Sequence, residues 1–213
     1  MNEAKLFRLV WLAFQNALRL HEDSQILYHR KSYPSAFFVS VLAAEEYGKM
    51  QMLDFLYENN YQSDPDVENQ VLREIYSHMW KQHHFRQDVW SFLFGGSLHR
   101  KLPVDNLESL KQKAIYVGLP RSKRKINLRG RIIAPFDVSA KQAQKQITLL
   151  NDLLLERVLG VRAGYYSWDT LEVEGFSKKR FADRLMNRWT YSGRAAIKRF
   201  KKRYRITGRR AIA

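Results

Sequence analysis

Apolar residues recur at helical spacing along most of the first 160 positions, and that period commits the chain to helix packed on helix. Leu6, Leu9, Val10, Ala13, Ala17 and Leu20 mark one face of a helix over 3–30. Pro34, tolerated in a first turn, opens a second helix that fades at Asn59-Asn60. Asp64-Pro65 starts a third, expected to run unbroken to about Phe94, where Gly95-Gly96 stops it. Residues 97–136 form an irregular central insertion with a short helix around NLESLKQKA, an extended IYVGL and a basic loop, PRSKRKINLRGR. Ser139 with Gln142 reads as a capping box before a fourth strong helix ending at Gly160. The reading is all-α: a helical domain over 1–160, a linker over 161–176, and a basic C-terminal tail over 177–213, helical across 178–204.

Residues 36–56, AFFVSVLAAEEYGKMQMLDFL, carry Glu45, Glu46 and Lys49 in the middle of an apolar run. At about 100° per residue, Glu45 and Lys49 fall within the stripe of Phe38, Val41, Leu42, Met52, Leu53 and Leu56. Solvated charges ordinarily take the opposite face. Two readings stay open: a buried structural Glu45–Lys49 pair, or a functional polar pocket. The third helix repeats the pattern, with His78 near the centre of a stripe made by Val67, Val71, Ile75, Phe85, Val89 and Phe92. If both stripes face one core, Glu45, Lys49 and His78 converge. His83 is the rival histidine, on another stripe with no cationic partner.

Several chemistries are excluded. Without cysteine there is no disulfide, thiolate metal site or cysteine nucleophile, which suits a reducing cytoplasmic setting. No metal-ligand motif and no nucleophile elbow occurs, so neither metal nor cofactor is expected. The N-terminus reads as an amphipathic helix and not a signal peptide, and no uncharged apolar stretch reaches the roughly 18 residues of a membrane span. The net charge of +16 is concentrated at one end. Residues 177–213 hold 14 Lys/Arg against the single Asp183, whereas residues 1–176 hold 23 against 20 acids. Arg180, Arg184, Arg188, Lys198, Arg199, Lys201, Lys202 and Arg203 are the candidate contacts to a nucleic acid, with an anionic membrane surface as the rival.

YPSAFFVSVLAAEEYGK resembles the signature helix of AbiV-type abortive infection proteins in the HEPN superfamily. YSHMWKQ, LKQKAIYVGLP and APFDVSAKQAQKQI follow in the same order, so the resemblance covers roughly residues 10–155. Gly118 departs from it, standing where an acidic residue is expected after Tyr-Val. The resemblance implies a helical bundle, often dimeric, and for many superfamily members a metal-independent ribonuclease with an R-x4-6-H motif. Arg73-EIYS-His78 matches that motif. Other members have lost activity and act as binding partners.

The implied function is antiphage abortive infection, by RNA cleavage or another block of translation, with RNA as partner and a phage protein as trigger. The catalytic candidates are His78, Arg73, Lys81, Glu45 and Lys49. A histidine can take the 2′-hydroxyl proton near neutral pH, and Lys81, Lys49 and Arg73 are cations for the phosphate oxygens. Glu45 would orient the histidine or hold Lys49. The alternative is a non-catalytic helical module that binds RNA or a phage protein. Solvent access separates the two, because a site must be open and a structural network closed.

Overall fold

Asn2 starts the first helix, α1 (Glu3–His29), by accepting the Lys5 backbone N–H at 2.9 Å. This computed structural model describes residues 1–59, 64–89, 107–119, 121–122, 125–164, 168, 184–185, 187–191, 198 and 202. Leu6, Val10, Phe14 and Ala17 are fully buried along α1, as their spacing requires. The helix closes with two bonds, Ser32 N–H to the Leu27 carbonyl and Lys31 N–H to that of Tyr28, with Lys31 at φ 61°. That is the left-handed cap that more often uses glycine. The chain turns back directly into α2 (Tyr33–Glu58), making a helical hairpin.

α2 is buried over most of its circumference, including Phe37, Val41, Ala44, Tyr47, Met50 and Leu53. A helix covered on so many sides is a core helix, which accounts for its long apolar run. Asp64 caps α3 (Pro65–Glu74), accepting from the Asp66 and Val67 N–H groups.

The expected unbroken third helix is two helices. A turn at Ile75–Ser77 separates α3 from α4 (His78–Asp88). The Tyr76 and Ser77 N–H groups bond back three residues, to Arg73 and Glu74, while the Ser77 carbonyl accepts from Lys81 and starts the new helix. Ile75, 4% exposed, pins this turn into the core. His78 therefore opens a helix; it does not sit mid-stripe.

α5 (Leu107–Lys113) occupies the short helix expected in the insertion. Beyond it an arm is closed at its base by the Gly118–Ile133 bridge, and its β1 (Arg121–Ser122) pairs antiparallel with β2 (Lys125–Ile126). Part of the basic loop is thus a two-residue ladder, and the extended IYVGL is reduced to one bridge. Ser139 and Gln142 form the capping box, with Ser139 N–H to Gln142 Oε1 at 2.8 Å and Gln142 N–H to Ser139 Oγ at 3.3 Å. It opens α6 (Ala140–Arg162). The protein is all-α, with six α-helices among the described residues.

Two compact units divide the chain, Met1–Arg86 with Arg100–Ile147, and Gln87–His99 with Thr148–Ala213. The division falls inside α6, between Ile147 and Thr148. In the second unit Trp189 is fully buried and its indole N–H donates to Thr148 Oγ1 at 2.9 Å. The Arg157 guanidinium lies 5.5 Å from the centre of the Trp168 ring. Most of the expected linker and basic tail lies outside the described residues. Where described, Trp168, Leu185 and Trp189 are core residues.

Candidate functional site

Glu45 is the centre of a polar cluster within the first unit, joining α2, α4 and α5. Its side chain is 3% exposed. A carboxylate so buried needs its lone pairs filled, and three partners fill them. Oε2 lies 2.7 Å from His78 Nδ1, while Oε1 accepts from Gln82 Nε2 at 2.7 Å and from Lys111 Nζ at 2.8 Å. A fourth group, Lys81 Nζ, stands 4.0 Å from Oε2 with its side chain 11% exposed.

Gly48 makes this geometry possible. It lies one turn beyond Glu45 on the same face of α2, and a Cβ there would overlap the Lys81 carbonyl of α4. With no side chain between them, the helices approach closely enough for His78 and Gln82 to reach Glu45. The EE-x-GK stretch thus combines an acceptor with a contact that only glycine allows.

Lys111 lies between two carboxylates, 2.8 Å from Glu45 Oε1 and 2.7 Å from Glu108 Oε2. Burial opposes its charge, yet the hydrogen bonds and charges of Glu108 and Glu45 outweigh that and raise its pKa above the ordinary lysine value. Burial likewise pushes the Glu108 carboxyl up. The hydrogen bonds from Lys111 and Gln112, the Lys111 charge and the Gln82 amide together overcome this and hold it below the usual carboxylate value. Gln82 donates to both carboxylates, reaching Glu108 Oε2 at 3.1 Å. Ligand atoms of Glu45, His78 and Glu108 lie within 4.8 Å of one another, a spacing that could hold a metal ion. The Lys111 ammonium already supplies the cation there, within 3.4 Å of His78 Nδ1 and closer to both carboxylates. A divalent ion would have to displace it.

His78 is the open member of the cluster. Its side chain is 57% exposed although its partner is buried. Because both Glu45 and Lys111 face Nδ1, the arrangement with least conflict puts a proton on Nδ1, donated to Glu45, and leaves Lys111 to the carboxylates. The Nε2 lone pair is then available to an incoming group. Chemically this is an exposed imidazole whose ring is oriented by a buried carboxylate.

The sequence-derived candidates are only partly assembled here. Glu45, His78 and Lys81 come together. Lys49 does not pair with Glu45; it lies 3.8 Å from Glu46, on the less buried side of α2. Glu45 is instead taken by groups from two other helices. Arg73 is exposed at the end of α3, and its guanidinium has no hydrogen bond or ion pair among the described residues. His83 is exposed, edge-on to Trp80 and His84. Sequence reasoning missed Lys111, Gln82 and Glu108. Lys111 and Gln82 lie within LKQKAIYVGLP and YSHMWKQ, the stretches that carry the family resemblance, and that was the available signal.

Among the tail candidates, Arg184, Arg188, Lys198 and Lys202 are exposed, while Arg180, Arg199, Lys201 and Arg203 lie outside the described residues. No helix among the described residues is long and apolar enough to cross a membrane. Residues 5–156 match the HEPN AbiV family, described as AbiV. Nothing among curated proteins or solved structures matches the chain.

Proposed function

Because the chain belongs to the AbiV family of HEPN abortive-infection defence proteins, we propose that it acts by metal-independent RNA cleavage with His78 as general base. One observation carries this reading: the His78 ring is more than half exposed while its Nδ1 is bonded to a carboxylate that is 3% exposed. A group needed only for packing gains nothing from such access.

In the proposed step, His78 Nε2 removes the 2′-hydroxyl proton of RNA. The 2′-oxygen forms a bond to the adjacent phosphorus, and the bond from phosphorus to the 5′-oxygen breaks. The products are a 2′,3′-cyclic phosphate and a 5′-hydroxyl whose proton comes from water, and the hydroxide left takes the proton from the His78 imidazolium. Glu45 stabilises the imidazolium formed. Lys81, 4.0 Å from Glu45 Oε2, would serve as a cation for the phosphorane oxygens, and Arg73, on the preceding helix, as another. Lys111 is a positioning residue that holds Glu45 and Glu108 in place. DNA, lacking the 2′-hydroxyl, would be refused. A homodimer and a phage protein as trigger complete the proposal, and the basic C-terminal residues Arg184 and Arg188 would add affinity for the polyanion.

The test is cleavage of RNA with metal chelated, comparing wild type with His78→Ala, Glu45→Gln and His83→Ala. Cleavage should vanish in the first, fall in the second and persist in the third. Equal rates for wild type and His78→Ala would instead favour a binding module, for which the cluster of Glu45, Gln82, Lys111 and Glu108 serves as a polar core.

A further inference from the structure

Two neighbouring cavities of about 640 and 580 Å³ flank α5 and share Ser109, Lys113 and Ile133, so they form one groove. At one end Glu108 stands in its wall, with a carboxylate oxygen within 4.8 Å of a His78 ring nitrogen. At the other the groove reaches Arg131 and Gln142. Tyr116 lines it and is 62% exposed. Between Ser109 and Phe136 the sequence has eight Lys/Arg and no acidic residue.

We propose that this groove binds single-stranded RNA and leads the strand to His78. In it Tyr116 stacks on a base and Lys113 takes a phosphate, with the exposed Arg129 of the arm as a further cation. Only the last step, delivery to His78, rests on the ribonuclease reading. Cationic grooves that also present exposed aromatic faces suit single strands, because stacking on a protein ring requires an unpaired base. A duplex keeps its bases shut. The two carboxylates in the walls do not repel a phosphate chain, since Glu108 is paired with Lys111 and Asp137 with Arg131. A second copy of the chain is a poorer occupant, because it would bring one acid-free basic stretch against another.

Binding of a 2′-O-methyl single-stranded oligonucleotide, which cannot be cleaved by the proposed route, tests the groove in the full chain by fluorescence anisotropy. Tyr116→Ala should weaken binding about tenfold or more, and Tyr116→Phe should retain it. Lys113→Met should lower the slope of log affinity against log salt by about one. Gly118→Glu adds a carboxylate where a Cβ meets no atom within 4 Å, and should weaken binding without changing stability. Wild-type affinity in Tyr116→Ala, Lys113→Met and Gly118→Glu overturns the groove, whether or not Arg184 and Arg188 then prove to bind the RNA. So does a changed oligomeric state with unchanged RNA affinity. His78→Ala separates the groove from the chemistry. If it cleaves RNA normally while the groove variants bind weakly, the ribonuclease reading falls and the groove stands.

Discussion

Gly48 of α2 and the Lys81 carbonyl of α4 meet so closely that no Cβ fits between them. Alanine is normally the better helix former by about 1 kcal/mol, but here the obstacle is backbone and cannot rotate aside. Gly48→Ala should therefore destabilise the protein, by about 1–3 kcal/mol as in other overpacked cores. It should also push α4 away and remove the His78–Glu45 bond. Thermal melts beside RNA cleavage check both effects. A melting temperature at or above wild type would show that the helices are not held at this distance.

Lys111 separates two carboxylates with its side chain only 7% exposed. Lys111→Met should cost about 3–5 kcal/mol, the usual result of leaving a buried charge without its partner. Adding Glu45→Gln should return part of that loss, because the charge left unpaired is then gone. Urea unfolding of both single variants and the double variant measures the coupling. Strictly additive losses would argue against a shared network.

The shifted groups also predict a pH dependence. The folded-state pKa of Glu108 lies below its unfolded value, so its contribution is complete above the ordinary glutamic range, about 4.3. It is lost as pH falls through the lower folded value. The stability gap between wild type and Glu108→Gln should accordingly be constant near neutral pH and shrink in acid. Lys111 behaves in the opposite sense. Its pKa is raised by folding, so its contribution holds below the ordinary lysine value and fades only as pH rises through the higher folded one. A gap that grew in acid would contradict the Glu108 assignment.

Trp189 is buried with its indole bonded to Thr148, so the C-terminal stretch is more than a solvated basic tail. Trp189→Ala should cost about 3–5 kcal/mol. Arg188→Ser, at an exposed neighbour, should stay within about 0.5 kcal/mol. Chemical denaturation distinguishes them, and a Trp189→Ala as stable as wild type would show that this indole contributes little to the fold. A truncation near Gly175 would remove this core residue, so point substitutions are the cleaner probes of RNA binding.

What the sequence determined by itself is whatever repeats or caps locally. The helical period located α1, α2 and α6, and Ser139 with Gln142 marked the start of the last to the residue. The same period put Glu45 on a buried face, since the face a residue occupies depends only on its place along the helix. The choice of partners belongs to the tertiary structure. Glu45 bonds to Lys111, 66 positions away, instead of to Lys49, one turn away, because α5 and α4 hold their donors within hydrogen-bonding distance of it. The break at Ile75–Ser77 also depends on packing: no proline or glycine marks it, and Ile75 must reach the core while α4 closes on Gly48. That break moves His78 to a helix start, where its ring meets both solvent and the buried carboxylate.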